Sequence, residues 1–251
     1  MVDRLFSFTP YEGSPVQAWF DAVARYMSPY DLNPLNINPL RDLIERFVDF
    51  DAVRACRDIS LFISATNVHT GRLRIFPQQK LTADVVMASA CLPFLFRAVE
   101  IDGVPYWDGG YMGNPALFPL FDETMTDDIL LVQINPLERR QTPRTVSEIN
   151  NRLNEITFNS TLLRELRAVA FVQRLLEEGK FSPDEYKNVH LHRIDASDEL
   201  DGHEASSKSK AEWDFFVQLR DAGRRTAQSW LSANYAAIGQ RGTFDLQGGL
   251  T

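Results

Sequence analysis

The sequence predicts an α/β fold, and three kinds of segment support this prediction. Residues 128–134 form a mostly apolar run, of the kind found in strands that are covered on both faces. Residues 145–178 repeat apolar side chains at helical spacing from Val146 onwards. Nearer the N-terminus, shorter strand-like runs flank a segment rich in small residues. A chain of 251 residues suits one large α/β domain, which we expect to span residues 1–240.

The composition is that of a folded protein and excludes several classes of function. Hydrophobic residues make up 44% and charged residues 24%, which is typical of globular domains. The net charge of −8 and the absence of long basic runs argue against a nucleic-acid binder. There is no apolar stretch of membrane-spanning length and no secretory signal near Met1. We therefore expect a cytoplasmic protein, with peripheral contact at a membrane surface as a further option.

The first fifty residues predict short helices between prolines. Pro15–Met27 and Pro39–Phe47 have helical spacing of apolar residues. The stretch 29–39 is expected to be irregular, because its prolines remove backbone donors. The aromatic residues of segment 1–30 are expected to pack on the core, and the alternative is a lipid-facing cap.

Strands and helices follow in alternation. The predicted elements are a strand over 59–65, a strand over 72–76, a helix over 81–91, a hairpin over 99–106 around Asp102-Gly103, and a strand over 128–134. The helical segment 145–178 is expected to cover the sheet, and contact with a membrane or a partner helix is its alternative.

The C-terminal part continues the pattern. It predicts a strand over 189–194, a polar loop over 195–209, helix over 210–239 and a flexible, glycine-rich tail over 241–251. His190 and His192 alternate on the strand and so share one face. No cysteine cluster or second histidine pair accompanies them, which argues against a zinc site.

The most specific segment is residues 88–96 followed by residues 101–115. A helix ending before Pro93 is followed by the tight hairpin, and Asp108 then precedes Gly109 and Gly110. The glycines let the backbone turn and let another segment approach closely. An isolated Asp-Gly-Gly is more often a structural turn than a catalytic motif.

The combination resembles the patatin-like phospholipase family. That family places its catalytic aspartate in an Asp-Gly-Gly or Asp-Gly-Ala motif, after a hairpin and a small-residue helix that ends at a proline. The resemblance covers roughly residues 30 to 195 and extends to Asn114-Pro115 after the motif. It implies a three-layer sheet with helices on both faces.

The resemblance also implies a chemistry. Asp108 would be the catalytic general base of a Ser-Asp dyad that acts on acyl lipids or esters. Gly109, Gly110 and Asn114 would support the motif, and no metal or organic cofactor would be needed. Tyr106 and Trp107 would help to exclude water from the site, which an aspartate base requires.

The chain departs from the family at the nucleophile. No Gly-x-Ser-x-Gly occurs, and Gly13-Ser14 lacks both the second glycine and a preceding Gly-rich loop. Ser64 is expected to be a strand residue and Ser89 a helix-packing residue, and Cys91 has no adjacent histidine. We therefore expect a fold that is incomplete at its N-terminus and a chain that is inactive alone. A hydrolase completed by another segment, a non-catalytic lipid- or protein-binding relative, and an unrelated α/β domain remain open.

Overall fold

The computed structural model describes residues 27–139, 141–196 and 212–246. The predicted helix Pro15–Met27 and most of the predicted loop 195–209 lie outside these ranges. Contacts within the chain divide it into two compact units, Met1–Met112 and Gly113–Thr251, and each is described by itself. The expectation of a single domain over 1–240 stays a prediction.

Three short helices open the first unit: α1 (Pro29–Leu32), α2 (Pro39–Phe47) and α3 (Phe50–Ala55). The α1 turn corrects the expectation that 29–39 is wholly irregular. Pro29 occupies the first helical position, where a missing N–H costs nothing. Ser28 and Asp31 form a reciprocal capping box that holds this single turn.

The first unit contains a four-stranded antiparallel sheet. Its strands are β1 (Phe62–Asn67), β2 (Leu73–Pro77), β3 (Val99–Ile101) and β4 (Val104–Asp108), in the order β2-β1-β4-β3. The predicted hairpin is confirmed. Asp102 and Gly103 have φ values of 52° and 75°, the two positive values that a tight two-residue turn requires.

Helix α4 (Ala83–Ser89) covers this sheet. Thr82 caps its start by accepting the Val85 N–H at 3.3 Å. Ala65 on β1 and Ala88 on α4 are both fully buried, and their small side chains allow a close approach of helix and sheet. The core between them also contains Phe76, Leu81, Val85 and Tyr106.

The second unit is built on the parallel strand pair β5 (Asp128–Gln133) and β6 (His190–Asp195). Helix α5 (Phe118–Glu123) precedes the pair, α6 (Val146–Glu177) lies between its strands in sequence, and α7 (Trp213–Asn234) follows it. A parallel pair needs such a crossover connection. The mixed α/β class predicted from the sequence is confirmed in both units.

The two longest apolar segments of this unit are buried on one side only. On β5, Ile129 and Leu131 are 5% exposed, whereas Val132 is 64% exposed. On α6, Leu166 is fully buried but Leu153, about three and a half turns earlier, is 56% exposed. The expectation that β5 is covered on both faces is therefore wrong for the described residues. The three-layer arrangement stays a prediction.

A buried polar cluster joins β5, β6 and the segment after α7. His192 is 1% exposed, and its Nε2 lies 2.8 Å from Asp128 Oδ1 while its Nδ1 lies 2.9 Å from Thr243 Oγ1. Both Asp128 oxygens lie 3.0 Å from the donating Gly239 N–H. The His192 contact, followed by the Gly239 N–H, lowers the pKa of Asp128. His190 Nδ1 lies 3.6 Å from the same carboxylate, so the predicted shared face of the two histidines is confirmed.

The described part of the predicted flexible tail, residues 241–246, is packed. The N–H groups of Thr243 and Phe244 both donate to Leu191 O at 3.0 Å, and Leu246 is 5% exposed in the core of the unit. These backbone hydrogen bonds hold residues 241–246 in place, whereas the glycine content predicts a loose tail. The remaining tail residues lie outside the described ranges.

None of the helices in the described ranges combines the length and the apolar character needed to cross a bilayer.

Candidate functional site

Asp108 ends β4, and its main chain is bonded on two sides. It pairs with Ala65 of β1. Its N–H donates to Cys91 O at 2.9 Å, and Thr66 Oγ1 donates to its carbonyl oxygen at 2.8 Å. These bonds fix the position from which the side chain departs. Strand alternation places the carboxylate on the same face as Ala65, the face that α4 covers.

The Asp108 carboxylate is oriented by the turn that follows it. Its Oδ1 accepts the Gly110 N–H at 2.7 Å and so caps the 3-10 turn Gly109–Tyr111. Hydrogen bonds from backbone N–H groups to a carboxylate are short and strong because the acceptor is charged. The residue is half-buried, so its carboxylate is held at the edge of the core.

Gly109 and Gly110 are both buried, and they have separate roles. A Cβ added to Gly109 would overlap both the carbonyl oxygen and the Oγ of Ser64. Gly109 is therefore required by the close approach of β1, and its own φ needs no left-handed backbone. Gly110 supplies the N–H that orients Asp108.

Two ionisable neighbours respond to the charge of Asp108. Burial raises the pKa of the Cys91 thiol to about 11, with a smaller raising effect from Asp108 and an opposing bond from Val99. Burial is also the main cause that raises the pKa of Tyr111, with smaller effects from Asp108 and Cys91. Both groups therefore stay protonated at neutral pH. The sequence analysis missed Tyr111, and its position directly after Gly110 was the available signal.

Two of the side chains considered as nucleophiles donate hydrogen bonds to backbone carbonyls. Cys91 is 2% exposed, and its Sγ donates to Arg97 O at 3.1 Å. Ser89 Oγ donates to Val86 O within α4 at 2.8 Å. Ser64 lies beside the Asp108 turn, because its Oγ is close to the position that a Cβ on Gly109 would take.

The two aromatic neighbours named from the sequence lie on different faces of β4. Tyr106 is 7% exposed, and its ring meets Phe76 edge-on at 5.4 Å between centroids. It shares a face with Asp108 by alternation. Trp107 pairs with Thr66 and faces the other way. Of these two aromatic residues, only Tyr106 can therefore exclude water on the Asp108 face.

Asn114 belongs to the second unit. Its N–H donates to Thr161 Oγ1 of α6 at 3.2 Å, and its bond to Pro115 is cis. The structure thus brings Asp108, Gly109 and Gly110 together in one turn and describes Asn114 within a different unit.

The residues around the Asp108 turn are similar to a known protein family. The family model for patatin-like phospholipase matches residues 11–121. The matched segment belongs to the patatin-like phospholipase family. The family inferred from the sequence is confirmed, although the match begins earlier and ends earlier than the predicted range 30–195.

The patatin-like match spans the whole Asp108 turn and ends just beyond Asn114. The matched family is one of lipid acyl hydrolases, whose members act on acyl lipids or esters. No curated protein matches the chain.

Proposed function

We propose that this chain supplies the general base, Asp108, of patatin-type ester hydrolysis. The observation that carries the proposal is the geometry of one carboxylate. It lies within the family-matched segment, is half-buried beside Cys91 and Tyr111, and is oriented by the Gly110 N–H. Such a carboxylate has one direction and a protein-lined environment, as a general base requires.

The proposed reaction needs a serine hydroxyl from a segment that carries Gly-x-Ser-x-Gly. Asp108 accepts the serine proton while the serine oxygen attacks the ester carbonyl carbon. The tetrahedral intermediate expels the alcohol, which takes the proton from Asp108. Water then attacks the acyl-serine and gives a proton to Asp108. The second tetrahedral intermediate releases the fatty acid, and the serine oxygen takes the proton back from Asp108.

The serine-bearing segment would be encoded in the same frame or on a second polypeptide. No Gly-x-Ser-x-Gly is present in the 251 residues. Ser89 and Cys91 each donate a hydrogen bond to a backbone carbonyl. The 251-residue chain alone should therefore hydrolyse p-nitrophenyl butyrate at the rate of the blank. We further propose a cytoplasmic location with peripheral membrane contact.

The test is complementation with a polypeptide that carries a Gly-rich loop and a Gly-x-Ser-x-Gly elbow. Asp108→Asn keeps the oxygen that accepts the Gly110 N–H but removes the base. We expect it to lower the complemented rate by about 10²–10⁴-fold. Asp102→Asn is the matched control, because this exposed hairpin carboxylate has no proposed role and asparagine tolerates its φ of 52°.

Equal rates for the Asp108→Asn and wild-type mixtures would remove Asp108 from the mechanism. Hydrolysis by the uncomplemented chain that survives Asp108→Ala would do the same.

The second candidate is a non-catalytic relative that binds lipid or a protein partner. The sequence favours it, because no Gly-x-Ser-x-Gly nucleophile motif occurs in the 251 residues. It predicts lipid binding with no hydrolysis under any complementation.

A further inference from the structure

The loop between α4 and β3 presents three consecutive apolar side chains to the surroundings. Phe94 is 87% exposed, Leu95 63% and Phe96 42%. Together they leave about 350 Å² of apolar surface uncovered, given the area that such side chains offer. A contiguous apolar patch of a few hundred Å² on a soluble protein commonly marks an interaction surface.

The backbone of the loop holds these side chains outward. The N–H groups of Leu95 and Phe96 both donate to Leu92 O at 3.0 Å, which closes a short turn. Cys91 Sγ donates to Arg97 O at 3.1 Å across the base of the loop. The exposure therefore belongs to a turn that is bonded at both ends.

Arg97 ties a second exposed segment to the loop. Its guanidinium lies 4.7 Å from the Tyr30 ring centroid, and its Nη1 donates to Pro34 O at 2.9 Å. The Ala98 N–H lies 3.3 Å from Tyr30 Oη. Tyr30 is 50% exposed and Leu35 is 79% exposed, so the apolar surface continues beyond the loop.

The charge pattern of this surface suits a neutral partner. The loop residues 92–96 contain no charged side chain, and Arg97 follows directly at the base of the loop. The net charge of −8 opposes adsorption to an anionic surface. A zwitterionic lipid surface matches both features, since it accepts apolar side chains below its head groups and offers phosphates to a single cation at the rim.

The loop also begins at the proposed catalytic turn. Cys91 O accepts the Asp108 N–H at 2.9 Å, only three residues before Phe94. We propose that Phe94, Leu95 and Phe96, with Tyr30 and Leu35 beside them, dock on the surface of zwitterionic lipid. The proposal rests on the proposed function, because it brings the Asp108 turn to an aggregated acyl-lipid substrate.

The test is sedimentation of the full chain with large unilamellar vesicles of phosphatidylcholine. We expect the double variant Phe94→Ser/Leu95→Ser to have a partition coefficient at least about tenfold below wild type, because two apolar side chains no longer leave water. Phe171→Ser is the matched control, since this phenylalanine of α6 is 52% exposed and belongs to the second unit. Adding phosphatidylserine should not increase binding.

Several results would overturn the docking surface. One is a wild-type protein that fails to sediment with vesicles, and another is a double variant that partitions as wild type does. The third such result is a partition coefficient that falls as much in Phe171→Ser as in the double variant. Self-association that the double variant abolishes, without vesicle binding, would assign the patch to a protein partner instead.

The two proposals fail separately. Asp108→Asn should bind vesicles as wild type does, because the substitution leaves the loop unchanged. A chain that binds vesicles through Phe94 and Leu95 but never hydrolyses ester after complementation would defeat the proposed function and leave the docking surface standing. Asp108-dependent hydrolysis of a soluble ester, with vesicle binding unaffected by the double variant, would do the reverse.

Discussion

Replacing Gly109 with alanine tests whether the Asp108 turn depends on its contact with β1. The added Cβ would overlap the carbonyl oxygen and the Oγ of Ser64. The Ser64 side chain can rotate, but the carbonyl belongs to a strand that is paired on both sides, with β2 and β4. The turn must therefore move away from β1.

That movement has a calculable cost. Overpacking of this kind costs about 1–3 kcal/mol. The displaced turn also strains the 2.8 Å bond from Thr66 Oγ1 and the 2.9 Å bond to Cys91 O, each of which contributes about 0.5–1.5 kcal/mol. The free energy of unfolding should fall by about 2–6 kcal/mol in total.

Thermal unfolding followed by circular dichroism measures the effect. For a chain of this length, Tm changes by about 2–4 °C per kcal/mol, so Gly109→Ala should lower it by at least about 4 °C. Gly223→Ala is the matched control. Gly223 lies inside α7 with open space around it, and alanine should stabilise the helix by about 1 kcal/mol. An unchanged or raised Tm for Gly109→Ala would refute the reasoning.

Two carboxylates of the second unit give further predictions. Burial raises the pKa of Glu165, so its folded-state pKa exceeds the unfolded value and stability falls as pH rises between the two. Glu165→Gln keeps an acceptor for the Leu117 N–H and should remove this dependence, measured by urea unfolding from pH 4 to 8. Asp128→Ala should destabilise by about 2–4 kcal/mol at pH 7, because buried His192 and the Gly239 N–H both lose their acceptor. The lowered pKa of Asp128 means that its contribution is present above the ordinary aspartate pKa and is lost as pH falls through the folded value, so the variant should show less acid destabilisation than wild type.

Local chemistry made most elements of the first unit predictable. The Asp102-Gly103 pair specifies a tight hairpin turn, because both residues accept positive φ. Pro93 ends the small-residue helix, since proline cannot continue its hydrogen bonds. Asp108 follows the hairpin at a strand end, which is where the family motif places it. These predictions depend on neighbours within a few residues, and such neighbours are visible in a sequence.

The burial of long apolar segments was less predictable. Residues 128–134 look suited to a strand covered on both faces, yet Val132 is 64% exposed. Segment 145–178 is periodic along its whole length, yet Leu153 is exposed where Leu166 is buried. Periodicity identifies the apolar side of an element but carries no information on what packs against it.

By itself, the sequence predicted the α/β class, the resemblance to patatin-like phospholipases and the residue proposed as the base, because each depends on short-range patterns and residue types. Only the tertiary structure decided why Gly109 must be glycine, since the excluding atoms belong to Ser64, forty-five positions earlier. It also decided that residues 241–246 pack, because Leu191 O and the His192 ring bond to that part of the chain. Such contacts join residues far apart along the chain, and their energies appear only when the fold brings the atoms together.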